Sequence, residues 1–143
     1  MSMREFADHV IAVSDEFANG VTNLQLQKVM YFALGEYINA HGINNIVLDI
    51  YDEPFEAWPY GPVVRSEYFR NRSYGRYKIR RAGRPLEMYT GLNDFILNAL
   101  REDINDLVEE SHLHNTWLKN REAILKHELV EYELEDIVND FSN

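Results

Sequence analysis

TNLQLQKVMYFALGEYINAHG, residues 22–42, is the stretch on which the fold reading turns. Thr22 and Gln25 stand three apart, the spacing of a capping box, in which each side chain takes the other residue's free N–H. Leu26, Met30, Ala33 and Tyr37 recur at three- and four-residue steps, the period of one helix face. Leu24, Val29, Leu34 and Ile38 are apolar as well, so apolar residues cover more than one stripe. A helix apolar on more than one face is buried on more than one side. This one is therefore expected at the centre, with Leu26, Met30, Ala33 and Tyr37 among the most buried residues. Gly42 is placed to end it as the residue just past the C-terminus.

On the N-terminal side, residues 3–17 place Phe6, Val10, Val13 and Phe17 at helical spacing, and Asn19-Gly20 stops the pattern. On the C-terminal side the period is lost. Residues 43–60 contain Pro54 and Pro59 and predict a loop, with a short extended piece around residues 55–58. PVVRSEYFRNR predicts a short helix with Pro62 at its first position, where proline is tolerated. YKIRRAGRPLEMY alternates and turns at Gly83-Pro85, which predicts a small hairpin. The helical period returns through residues 92–108, then in TWLKNREAILK, and again in VEYELEDIVNDF. The expected architecture is mainly α, with a short β-hairpin or extended segments between the second helix and the C-terminal helices. No repeat or linker divides it, so residues 1–143 read as one domain.

Hydrophobic residues make up 45% of the chain, enough to bury a core without cross-links. There is no cysteine, which removes disulfides and thiolate chemistry and fits a reducing cytosol. The N-terminus has acids where a signal peptide has bases, and no run approaches the ~18 apolar residues of a membrane span. A cytoplasmic protein is expected. The net charge is −10, unevenly spread. Residues 65–84 hold Arg65, Arg70, Arg72, Arg76, Lys78, Arg80, Arg81 and Arg84 against only Glu67, while the C-terminal segments are strongly acidic.

The residues do not assemble into familiar chemistry. His112 and His114 stand two apart, a spacing that turns helical side chains to different faces, so no metal site is assigned. The paired carboxylates Glu109-Glu110 and Glu135-Asp136 fall on polar helix faces. The glycines form no phosphate-binding loop, and no serine sits in a nucleophile elbow. No catalysis and no cofactor are expected. Arginine interleaved with Tyr68, Phe69, Tyr74 and Tyr77 has the composition of a nucleic-acid stacking platform. The acidic remainder of the chain would repel a polyanion, which disfavours nucleic acid as partner but leaves it the alternative reading. In EAWPYGPVVRSEY, residues 56–68, Trp58 fills the core at a bend or meets a partner.

Three blocks together resemble the Panacea domain family, also described as SocA-like antitoxins and phage-associated GepA-like proteins. Leu24, Leu26, Gln27, Lys28, Tyr31, Ala33 and Gly35 match its first motif. Glu56, Ala57, Trp58, Gly61, Pro62, Val63 and Tyr68 match its second, and Ser111, His112 and Trp117 its third, loosest motif. The resemblance covers residues 20–125 in order. It implies a mostly helical, non-catalytic module, found beside toxin genes and in prophages, that neutralises a cognate protein toxin by direct binding; some members are thought to deliver the toxin to a host protease. The motif residues Leu24, Leu26, Lys28, Tyr31, Gly61, Pro62, Val63, His112 and Trp117 are then structural, with His112 and Trp117 pairing at the helix ends. The partner-binding candidates are Trp58, Tyr60, Arg65, Tyr68, Arg70, Arg72, Arg76 and Arg80, where arginine and aromatic residues, the side chains enriched in binding hot spots, are concentrated.

Overall fold

The structure is a computed structural model and describes residues 2–142; Met1 and Asn143, included in the single-domain expectation, lie outside the described residues. It is 65% helical with one two-stranded antiparallel hairpin, a mainly α fold. Helix α1 spans Met3–Phe17 and α2 spans Asn23–His41. The capping box forms as read: Gln25 N–H donates to Thr22 Oγ1, and Thr22 N–H to Gln25 Oε1. Every residue of α2 from Leu26 through Gly35 is buried, which makes it the central helix. Around it pack α1, α5 (Asn93–Leu100), α6 (Ile104–Leu113) and α9 (Leu134–Phe141).

Phe141 of α9 reaches the backbone of α2 because residue 35 is glycine. A Cβ there would stand 2.1 Å from the Phe141 ring, far inside van der Waals contact. Around the same point Tyr31 lies within 5.1–5.5 Å, centroid to centroid, of Phe32, Phe55, Tyr132 and Phe141.

Between α2 and α5 the order differs from the sequence reading. Residues Asn45–Ile50 form a short helix, α3, where a loop was expected; Asn44 caps it, accepting from Val47 N–H. The hairpin lies at β1 (Glu56–Trp58) and β2 (Gly61–Val63), not at residues 77–89. The alternation at 77–79 instead serves a strap. Ile79 N–H bonds to Val21 O and Arg84 N–H to Asp8 O, so those donors are spent on the rest of the fold.

Pro62 sits in β2, and the following helix α4 begins at Arg65 (Arg65–Arg70). The register explains how a strand accepts this proline. Trp58 faces Gly61 across the Pro59-Tyr60 turn, and Ala57 faces Pro62. Antiparallel pairs alternate between bonded and non-bonded. Ala57 and Pro62 form the non-bonded pair: Ala57 N–H points away from β2 and donates to Val130 O at 2.8 Å. A missing N–H at position 62 therefore costs no ladder bond. On the same edge Tyr132 N–H donates to Phe55 O, so residues 130–132 cover β1.

The helix expected through residues 92–108 breaks at residues 101–103. Asp103 caps α6, accepting from Asn105 N–H, and a 3-10 turn at Glu87–Leu92 precedes α5. TWLKNREAILK likewise divides into α7 (Asn115–Lys119) and α8 (Arg121–Leu125). No helix among the described residues is long and apolar enough to cross a membrane.

Candidate partner-binding site

The three motif blocks meet at one hairpin. From α2, Lys28 Nζ donates to Pro62 O at 2.8 Å. Gln27 Oε1 accepts from Val64 N–H at 2.8 Å, its Nε2 donates to Asn23 Oδ1, and Asn23 Nδ2 donates to Tyr68 O. From α6, His112 Nε2 lies 2.8 Å from Pro59 O. A carbonyl can only accept, so this nitrogen carries the proton. From α7, Trp117 Nε1 donates to Trp58 O at 2.9 Å, and its indole stacks on His112 with centroids 3.9 Å apart. The carbonyls of Trp58, Pro59 and Pro62 are thus each held by a side chain distant in sequence.

Gly61 closes the arrangement. Its φ of +103° disfavours any other residue. A Cβ at this position would also stand 2.5 Å from Ser111 Oγ and 2.9 Å from Lys28 Cε. Burial under this turn draws the Lys28 amine down to about 7. Burial also lowers His112, with the Pro59 carbonyl opposing.

The fixed hairpin forms one wall of an open cleft of about 520 Å³. Trp58, Tyr68 and Phe69 line it on that side; Ile124, Leu129 and Val130 line the other. Trp58 is half-buried, so it does not simply fill the core, while Trp117 is buried. The Trp58 ring packs edge-on to Tyr68 at 4.9 Å. Tyr60, at the turn tip, is 68% exposed. Leu24, a motif residue, is not in the core: it is partly exposed on the cleft wall. Leu26, Tyr31 and Val63 are buried.

The arginines divide into two groups. Arg70 and Arg81 belong to a buried-edge network: both reach Asp8 Oδ1, at 3.0 and 2.8 Å, and both face the carboxylate of Glu67, which is 1% exposed. Arg81 Nε also donates to Asn71 Oδ1. Burial raises Glu67 even against these two cations. The network ties α1 to α4 and the strap, so Arg70 is a cross-link of the fold. The others face outward. Arg65 is clamped through Nε to both oxygens of Glu56 and lies over the rings of Trp58 and Phe69. Arg72 lies over Phe69 at 5.2 Å, and Arg76 over Tyr77 at 5.4 Å. Arg80 is exposed, with no ion pair among the described residues.

The far wall escaped the sequence reading. Leu129 falls between the segments read as helical, while Ile124 and Val130 belong to TWLKNREAILK and VEYELEDIVNDF, whose apolar residues do not by themselves say which surface they join. His112 and His114 end on different partners, the latter with Nδ1 2.7 Å from the Tyr31 hydroxyl. In comparison with known proteins, the chain matches no family model, no curated protein and no solved structure.

Proposed function

We propose that the chain is a non-catalytic, antitoxin-like module that binds a partner protein through the hairpin turn and the cleft beside it. The observation that carries this reading is the convergence of the three motif blocks on residues 58–64. Lys28, Gln27, His112 and Trp117 spend their polar groups on that backbone, so the turn is held in one conformation while Tyr60 and the cleft aromatics remain accessible. A rigid, aromatic, arginine-edged surface meets the main requirements of a binding hot spot: low ordering cost and large apolar area. The expected partner is a cognate toxin, neutralised by occlusion or by delivery to a host protease, in a phage-associated or toxin–antitoxin setting within the cytoplasm.

Nucleic-acid binding through residues 65–84 is the alternative. It has fewer free cations to draw on than the sequence suggests, because Arg65, Arg70 and Arg81 already face carboxylates. Such binding would weaken steeply with salt.

The test is co-expression. Each neighbouring open reading frame is induced alone and with the chain. The proposal expects one neighbour that arrests growth, with growth restored by the wild-type chain and not by a Tyr60→Asp, Leu129→Glu variant. Restoration by that variant would move the binding surface elsewhere, and arrest unrelieved by the wild type for every neighbour would remove the antitoxin reading.

A further inference from the structure

The cleft also carries information about what fills it. Its walls are apolar, but its α4 edge is not. Arg65 uses Nε for Glu56, and neither of its Nη atoms has a hydrogen-bond partner among the described residues. The clamp and the rings of Trp58 and Phe69 fix the plane of the guanidinium, so its Nη edge is presented outward in a set direction. Arg72 also lies over Phe69 and has no carboxylate at all among the described residues. Two cations therefore contact one exposed aromatic that lines the cleft. His127 and the exposed Glu128 also line the cleft.

We propose that the cleft takes an extended segment of a protein partner in which an aromatic or branched aliphatic side chain is followed or preceded directly by an acidic residue. The apolar side chain fills the space between Trp58, Tyr68 and Leu129. The adjacent carboxylate lies on the Nη edge of Arg65 and beside Arg72, in the planar geometry that guanidinium and carboxylate share. This specifies the chemistry of the partner and rests on the protein-binding reading above.

The experiment is selection of random short peptides displayed on phage against the immobilised full-length chain. Enriched peptides are expected to share an acid next to an aromatic or aliphatic residue. Their binding should weaken at least about fivefold for Arg72→Gln and for Arg65→Lys, and further with added salt. It should be lost in Leu129→Glu, a change at a side chain 67% exposed and so without consequence for folding. Arg65→Lys retains a cation for Glu56, and melting curves confirm that each variant is folded. Enriched peptides that lack acids and ignore the arginine variants would overturn the charge inference and leave the protein-binding reading standing. Enriched peptides insensitive to Leu129→Glu would place binding outside the cleft. An absence of enrichment would overturn the inference, and the co-expression assay then decides the protein-binding reading separately.

Discussion

Lys28 and Pro62 are 34 residues apart in sequence and 2.8 Å apart in space: the fully buried amine of one donates to the carbonyl of the other. This contact joins the central helix to the hairpin, and it has a thermodynamic consequence. Burial holds the Lys28 amine at about 7, against 10.5 for a free lysine. Between those values the unfolded chain keeps a proton that the folded chain has released. Stability therefore rises with pH through this window, by at most about 1.4 kcal/mol per pH unit. Urea unfolding at pH 7.5 and 9 should show the rise in the wild type and its absence in Lys28→Met. Equal slopes in the two proteins would mean that Lys28 remains charged.

His9 gives the acid side of the same behaviour. Its Nδ1 accepts from Leu86 N–H at 3.0 Å, so Nε2 carries the proton and donates to Asn93 Oδ1 at 2.7 Å. Burial lowers its titration below 6.5. As pH falls below 6.5 the unfolded chain gains a proton first, and the contribution of His9 to stability is lost as pH falls through the folded value. Imidazole nitrogen NMR shifts should show His9 as the Nε2–H tautomer at neutral pH, titrating below free histidine. A titration midpoint above 6.5 would contradict the geometry.

Arg70 and Arg72 are close in sequence and should behave oppositely. Arg70→Gln leaves buried Glu67 short of one cation and should cost about 3 kcal/mol. Arg72→Gln removes only a contact over an exposed ring and should change stability by less than about 0.5 kcal/mol. Thermal melts of the two variants, side by side, check this.

Gly35 and Phe141 form a packed pair that a double-mutant cycle can read. Gly35→Ala should destabilise the wild type by about 2 kcal/mol through overpacking against the ring. In a Phe141→Ala background the same change should cost much less, giving a coupling of about 1–2 kcal/mol. Additive effects would show that the ring is not seated on the glycine.

What the sequence revealed, and what it hid, follows from the range over which each signal acts. The two N-terminal helices were legible because their apolar spacing and caps are local; the capping box between Thr22 and Gln25 needs only four residues. The hairpin was misplaced because alternation at 77–79 is equally compatible with a strap, and only the carbonyls of Val21 and Asp8 decide between them. Helix α3 was too short to show a period, although Asn44 was a readable cap. Pro62 looked like a helix start because its place as the non-bonded partner of Ala57 depends on the register. For the site, the aromatic and arginine wall was visible in EAWPYGPVVRSEY. The Leu129 wall was not, since it approaches only when residues 130–132 lie along β1. Nor could composition separate Arg70, held by Asp8 and Glu67, from Arg72, which faces outward.

A partner-binding module must have a protein on its hairpin face in the cell. A photo-reactive phenylalanine analogue at position 60, where Tyr60 is exposed at the turn tip, reports this, with the exposed Leu48 of α3 as the control position. The prediction is a covalent adduct with one protein from position 60, absent from position 48 and absent when Leu129→Glu is also present. Adducts with nucleic acid at position 60, or no protein adduct there, would contradict it.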